Sequence, residues 1–266
     1  MGNICVIGPR ASGKTTYLAA LAYKREHYKS SKGLTITPLN EDSQKIADRA
    51  ENIICQGEAF EPTEVTSVDT LPDYSFKISI RKFPRLNPEK FQLVFKDYPG
   101  EVFENIADPH ANDAIQEEFI EECFRKDVEG CLILFSDWVK GTDNHYNRII
   151  SRFLELMDAR DRTHDLRLAV AMSKCERGEL WPGRLDPETD LFQRHLSKTT
   201  TTLRRKVAPK NIRFYAISTF GVLKRNDPRP NRIDDRGKSG QASTLRKVSD
   251  WKPYNLLEPL YWLSKG

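Results

Sequence analysis

The chain has 266 residues, of which 38% are hydrophobic and 30% charged, a composition that is typical of a globular protein with a sizeable core and excludes a disordered chain. Its 42 basic and 38 acidic residues leave a formal net charge of +4, which is too small to indicate a nucleic-acid-binding protein. No run of about 20 apolar residues is present and the five cysteines lack paired CxxC spacing, so we expect no membrane span, a cytoplasmic location and no structural metal.

The predicted elements begin with a strand, a glycine-containing loop and a helix. An apolar run at residues 3–8 predicts a buried strand, and residues 14–28 predict the helix that follows the loop. Apolar residues at a spacing of 3.6 predict a second helix at residues 41–56. We therefore expect a helical insertion at about residues 34–73.

An antiparallel hairpin is predicted next, because the apolar-polar alternation at residues 74–83 and the strand at 91–95 are joined by a proline-containing turn. Helices and strands then alternate. The predicted helices lie at residues 115–126, 147–157 and 191–207, and the predicted strands at 131–135, 166–172 and 212–217. This order predicts an α/β three-layer sandwich whose sheet is mostly parallel, with one antiparallel hairpin strand.

The C-terminal part is less regular. Residues 224–250 contain eight basic and four acidic residues but few large aliphatic ones, which predicts a mobile basic loop. Because no aromatic residues interleave with the basic ones, a solvated loop is favoured over a nucleic-acid-binding surface. Residues 254–264 predict a closing helix, and we expect residues 1–266 to form one domain.

The loop after the first strand reads GPRASGKT and matches the phosphate-loop pattern GxxxxGK[ST] in the required strand-to-helix context. Such a loop points backbone N–H groups at phosphates, while Lys14 reaches the β- and γ-phosphates and the Thr15 hydroxyl binds Mg²⁺. The predicted nucleotide-binding residues here are Gly8, Pro9, Arg10, Ala11, Ser12, Gly13, Lys14, Thr15 and Thr16. The loop alone does not distinguish ATP from GTP.

A second motif, Asp97-Tyr98-Pro99-Gly100, follows the predicted strand at 91–95. There the Asp97 carboxylate can hold Mg²⁺ through water, and the Gly100 N–H can meet the γ-phosphate. This is the DxxG arrangement of GTPases. The alternative is an ordinary Pro-Gly turn after a strand.

A third motif, Ser173-Lys174-Cys175-Glu176, follows the predicted strand at 166–172. It resembles the NKxD motif of Ras-like GTPases, in which the lysine lies on the guanine plane and the carboxylate accepts N–H groups of the base. Serine replaces asparagine and glutamate replaces aspartate here, so a charged loop after a strand is the alternative. Ser218 and Thr219, at the end of the last predicted strand, resemble the short loop that closes over the base, and a plain strand end is the alternative.

A threonine that meets Mg²⁺ and the γ-phosphate is expected between the first helix and the hairpin. Thr63 is the first choice for this switch I residue, followed by Thr66 and Thr70. Position alone ranks them, and each can equally be an ordinary loop residue.

In chain order, these motifs resemble Ras-like GTPases of the translation-factor-related class over residues 1–221. The segments GPRASGKTTYLAAL, DYPGE, SKCE and AISTFGV are most similar to the bacterial double-GTPase family, which is associated with multi-gene defence or conflict systems. The resemblance implies a Ras-like G domain that binds GTP and GDP, uses Mg²⁺ as cofactor and acts on a protein effector or regulator.

Two positions bear on catalysis together with Lys14 and Thr63. Glu101 stands where Ras-like hydrolases place a water-orienting glutamine, and its charge beside a γ-phosphate must be offset. Arg10 is either an arginine finger supplied in cis or a solvent-facing side chain that obstructs a partner's finger. We therefore predict a GTP-dependent switch with slow hydrolysis; the alternatives are a P-loop ATPase or kinase, or a scaffold that binds nucleotide without hydrolysing it.

Overall fold

The computed structural model describes residues 3–23, 34–58, 71–81, 89–96, 98–108, 114–224, 226–234 and 243–265. The strands in these ranges are β1 (Asn3–Ile7), β2 (Leu34–Pro38), β3 (Asp73–Ile80), β4 (Glu89–Lys96), β5 (Val128–Phe135), β6 (Arg167–Met172), β7 (Ile212–Ala216), β8 (Val222–Lys224), β9 (Asp227–Pro230), β10 (Arg232–Asp234) and β11 (Ser243–Leu245). The α-helices are α1 (Lys14–Ala22), α2 (Glu41–Glu51), α3 (Gly100–Asn105), α4 (Ala114–Phe124), α5 (Thr142–Asp158), α6 (Ser197–Lys206) and α7 (Glu258–Leu263).

The central sheet is parallel and has the strand order β1-β5-β6-β7. Ile7 pairs with Ile133, and Met172 pairs with both Phe135 and Ala216 on its two sides, so the strands reach the same edge at their carboxyl ends. The loops that follow them emerge together there, where ligands bind in open α/β sheets. The predicted α/β fold with a mainly parallel sheet is confirmed.

A second sheet has the order β2-β3-β4 and is antiparallel, and β4 lies beside β1. The predicted hairpin is therefore found as β3 and β4. The described part of the helical insertion expected at 34–73 contains the helix α2, but it also contains the strand β2, which the sequence analysis did not predict. Its five residues are too short for a strong periodic signal, and pairing with β3 stabilises them as a strand.

Helices cover both faces of the central sheet, which explains the continuous apolar run of β5. On one face, Leu132 and Leu134 pack with α1, α2 and α7. On the other, Ile133 and Phe135 pack with α3, α4, α5 and α6. A parallel strand with both faces buried needs apolar residues at every position, and not only at alternate ones.

The predicted mobile loop at 224–250 is corrected for the residues that the structure describes. There β8 pairs with β9 and β10 pairs with β11. The fully buried Asn231 joins these strands to Lys247: its Nδ2 donates to the Lys247 carbonyl at 3.0 Å, and the Lys247 N–H donates to its Oδ1 at 2.8 Å. Hydrogen bonds of buried polar side chains stabilise this segment. Its low aliphatic content therefore did not make it a loop throughout.

Several helix bounds also differ from the sequence prediction. The predicted helix at 191–207 is a π-helical turn, Glu188–Gln193, followed by α6. The closing helix is shorter than 254–264, because Tyr254 forms a β-bridge with Ser218 before α7 begins. Among the helices that the structure describes, none combines the length and apolar character needed to cross a membrane.

Candidate functional site

The predicted phosphate loop, residues 8–15, connects β1 to α1 and depends on two glycines. Gly8 and Gly13 have φ angles of 154° and 90°, values that residues other than glycine rarely adopt. A Cβ on Gly8 would also lie 2.4 Å from the carbonyl oxygen of Leu134 in β5. The backbone of the loop therefore passes close to the sheet edge, and Ala11 has a left-handed φ of 56°.

Lys14 bends back over the loop that precedes it. Its Nζ donates hydrogen bonds to the carbonyl oxygens of Gly8 at 2.9 Å and Pro9 at 3.3 Å. The ammonium group therefore lies over the loop, where a bound anion would meet both its charge and the N-terminus of α1. Thr15 and Thr16 follow in the first turn of α1 and are partly exposed.

Three side chains from neighbouring strand ends donate to the carbonyl groups of the phosphate loop. Lys174 Nζ donates to the Ala11 carbonyl at 2.6 Å, and Ser173 Oγ donates to the Ser12 carbonyl at 2.7 Å. Ser136, directly after β5, also donates to Ala11, at 3.3 Å. The structure thus brings two residues of the third motif to the phosphate loop, and it adds Ser136, which no sequence motif singled out.

Lys174 has a left-handed backbone conformation and a side chain that is partly buried against the loop. Its φ is 56°, and its Cε lies 3.7 Å from where a Cβ on Gly13 would be. Burial lowers the pKa of Lys174 to about 8, and the positive charges of Arg232 and Arg177 act in the same direction, against the opposing charges of nearby carboxylates. The lysine therefore lies against the phosphate loop with its ammonium group partly desolvated.

The lowered pKa of Lys174 predicts a specific pH dependence of stability. Because the pKa is about 8 in the folded chain against 10.5 for a free side chain, the unfolded chain binds more protons between these values. The free energy of unfolding should therefore rise over this window. In urea titrations from pH 7.5 to 10.5, the unmodified chain should gain stability relative to Lys174→Met, and parallel curves would contradict the assignment.

Glu176, the predicted base-reading carboxylate, is already paired. Its side chain is fully buried, and its Oε1 lies 3.2 Å from Nη1 of Arg232 in β10. Arg232 also contacts Asp234 and Ser243. The Oε2 atom of Glu176 is buried and has no hydrogen-bond partner among the residues that the structure describes. One carboxylate oxygen is thus held by Arg232, a residue that sequence analysis assigned to a mobile loop.

The loop after β7 is held by its own hydrogen bonds. Ser218 is fully buried; its Oγ accepts the Gly221 N–H at 2.7 Å, and its N–H donates to the Tyr254 carbonyl at 3.0 Å. The Thr219 carbonyl accepts the indole N–H of Trp251 at 2.9 Å. The structure places this loop beside the third motif, since the Cys175 N–H donates to the Ile217 carbonyl at 3.1 Å, but the Ser218 hydroxyl is used within its own turn.

Helix α3, which begins at Gly100, lies directly on the phosphate loop. A Cβ on Gly100 would come within 2.1 Å of the Arg10 nitrogen, so only glycine permits this approach. The Arg10 N–H donates to Glu104 Oε1 at 2.7 Å, and the Arg10 guanidinium donates to Glu101 Oε1 at 2.9 Å. Two of the four catalytic candidates, Arg10 and Glu101, therefore contact each other.

Two predicted metal ligands are not placed by the structure. Asp97 and Thr63 lie outside the described residues, as do the alternatives Thr66 and Thr70. Among the predicted ligands, Thr15 is described, and its hydroxyl oxygen is of the ligand type that Mg²⁺ prefers. The described residue thus fits Mg²⁺, and the assignments of Asp97 and Thr63 stay predictions.

Comparisons with known protein families and with solved structures both gave matches. A family model described as Double-GTPase 1 matches residues 5–143, a range that includes the phosphate loop, the hairpin and α3. Among solved structures, one match is the signal recognition particle receptor SRb-GTP/SRX complex from Chaetomium thermophilum, with a TM-score of 0.37 and 8% sequence identity, covering 82% of this chain and 94% of that chain. No curated protein matches the chain.

Proposed function

The chain belongs to the Double-GTPase 1 family, and from that premise we propose that it is a GTP-binding molecular switch that hydrolyses GTP slowly with Mg²⁺ and regulates a protein partner. The observation that carries the switch role is the contact between Gly100 and Arg10. A γ-phosphate bound at the phosphate loop would meet the Gly100 N–H, as the DxxG pattern predicts. Since Gly100 begins α3, contact with the γ-phosphate would reposition that helix.

The region around α3 is the surface that such a partner would recognise. Glu101 is about half exposed, and its hydrogen bond to Arg10 depends on where α3 lies relative to the phosphate loop. Order and position of a segment that contacts the γ-phosphate are a common basis of GTPase switching. The resemblance to the bacterial double-GTPase family supports a partner within a defence or conflict system.

Mg²⁺ would be held by Thr15 and by Asp97, with Thr63 completing the site in the GTP state. When bound, the ion would neutralise charge on the β- and γ-phosphate oxygens. Lys14 would add a second positive charge at these phosphates. GTP binding should therefore weaken when a chelator removes Mg²⁺.

A nucleotide-selectivity measurement tests the proposal. Fluorescent GTP and ATP analogues, titrated into the full chain with Mg²⁺, should show tighter binding of the GTP analogue. The pairing of Glu176 with Arg232 favours a second candidate, a P-loop ATPase. A carboxylate that is paired with an arginine is less available to accept the N–H groups of guanine. Tighter binding of the ATP analogue would contradict the GTP switch and support this alternative.

Hydrolysis distinguishes the switch from a nucleotide-dependent scaffold. Phosphate release from GTP should be slow but above the level of a Lys14→Ala control. Because Glu101 replaces the expected glutamine and faces Arg10, the isolated chain has a weak water-orienting group at best. Retention of intact GTP with no release above the control would support the scaffold.

Replacing Arg10 by alanine should leave stability almost unchanged. The side chains of Arg10 and Glu101 are 64% and 52% exposed, and exposed ion pairs contribute about 0–1 kcal/mol. The melting temperature should therefore shift by no more than a few degrees. A tenfold or greater fall in GTP hydrolysis in the same variant would assign Arg10 as a finger in cis, and an unchanged rate would assign it as a tether for α3.

A further inference from the structure

Three cysteines that are far apart in the chain meet on one face of the central sheet. Cys5 in β1 pairs with Cys131 in β5, so their side chains lie on the same face. Cys123, in the last turn of α4, packs over them. Cys123 and Cys131 are buried and Cys5 is partly exposed, and all three carry free thiols.

The spacing of these three thiols is close to that of a metal-thiolate site. Their sulfur atoms all lie within 4.8 Å of one another. Three sulfurs bound to one Zn²⁺ at about 2.3 Å are about 3.8 Å apart in tetrahedral geometry. Each sulfur therefore needs to move by less than about an ångström to reach this spacing.

The surroundings of the thiols favour a cation. The Cys5 thiol donates to the carbonyl of Glu122 and the Cys131 thiol to the carbonyl of Cys123, each at 3.9 Å. Both carbonyls belong to the last turn of α4, which is the negative end of the helix dipole and stabilises positive charge. An S–H donor is weak, so these two contacts can be exchanged for metal-sulfur bonds.

A cavity beside the cluster supplies access and a fourth position. It has a volume of about 110 Å³, and its lining includes Cys5, Cys123, Lys96 and Arg125. This is enough room for a water molecule, which can complete a tetrahedral set. Arg125 also lines this cavity, where its guanidinium is ion-paired with Asp127.

We propose that Cys5, Cys123 and Cys131 form a binding site for one thiophilic metal ion, with Zn²⁺ as the natural class of ligand. Thiolates select such ions over Mg²⁺, which prefers oxygen ligands. The site lies between β1, β5 and α4. None of the three cysteines is among the predicted nucleotide-binding residues, so the two sites are separate. A bound ion would join β1, which leads into the phosphate loop, to α4.

Cadmium titration tests the site directly, because Cd²⁺ replaces Zn²⁺ at thiolates and gives an ultraviolet charge-transfer band. The full chain, reduced and freed of metal by a chelator, should show this band rising to one equivalent of Cd²⁺. Zn²⁺ should compete with it. Zn²⁺ at about a hundred times its dissociation constant should also raise the melting temperature by about 5–10 °C.

Variants locate the site within the chain. Cys5→Ser, chosen because Cys5 is partly exposed, should lose most of the band and the thermal shift. Cys55→Ser is the matched control, since Cys55 is also partly exposed and its thiol contacts the Tyr23 hydroxyl instead; it should retain both. Absence of the band in the unmodified chain, or equal bands in Cys5→Ser and the unmodified chain, would overturn the proposal.

Discussion

Replacing Lys14 by alanine is expected to lower GTP affinity by about 100-fold or more. A charged donor contributes about 1.5–3 kcal/mol per hydrogen bond, and Lys14 is predicted to contact two phosphates. Among the described residues its hydrogen-bond partners include the carbonyls of Gly8 and Pro9, and urea unfolding of the variant reports whether losing these contacts affects stability. Titration with a fluorescent GTP analogue, with urea unfolding of the same preparation, measures both effects.

Lys45→Ala is the control for Lys14→Ala. Lys45 is an exposed lysine of α2 whose ion-pair partner is Asp42 at 3.0 Å, and it lies outside the loops that follow the parallel strands. GTP affinity should be unchanged in this variant. If Lys14→Ala and Lys45→Ala bound GTP with equal affinity, the result would contradict binding of the triphosphate at the phosphate loop.

Replacing Arg232 by alanine is expected to destabilise the fold by about 3–5 kcal/mol. The ion pair between Arg232 and Glu176 is buried, with the two side chains 7% and 0% exposed. Removing one partner leaves the other as an uncompensated buried charge, and breaking such pairs costs this amount. Urea unfolding should show a lower midpoint with a similar slope.

Two further variants define the origin of that loss. Arg229→Ala removes an arginine from the neighbouring strand β9, where its side chain is 70% exposed and paired with Asp227; the expected loss of stability is small, because exposed ion pairs contribute little. In the double variant Arg232→Met with Glu176→Leu, both charges are gone, and most of the lost stability should return. A cost for Arg232→Ala no greater than for Arg229→Ala would show that the buried pair is unimportant.

The fold class could be predicted from sequence, and a phosphate loop is proposed from it, because both rest on local patterns. The spacing of Gly8, Gly13 and Lys14 and the preceding apolar run need no knowledge of distant residues. Alternating helices and strands then limit the topology to a mostly parallel sheet, since parallel crossovers follow one hand. The family that these motifs indicated is confirmed by the match over residues 5–143.

Short strands and their partners could not be predicted in the same way. β2 and the four strands at Val222–Lys224, Asp227–Pro230, Arg232–Asp234 and Ser243–Leu245 are each three to five residues long, too short for a periodic signal. Their stability comes from pairing with strands elsewhere and from buried polar side chains. Composition therefore suggested a loop where the chain forms two small sheets.

By itself, the sequence determined that the chain has a mostly parallel α/β sheet and predicted a phosphate loop at its edge, because glycine spacing and apolar runs are properties of neighbouring residues. The tertiary structure alone decided which groups meet there. Arg232 pairs with Glu176 across 56 positions, Arg10 with Glu101 across 91, and Cys5 reaches the last turn of α4 across 117. Such contacts form because the order of the strands in the sheet brings distant loops together. They leave no pattern in the sequence around either residue.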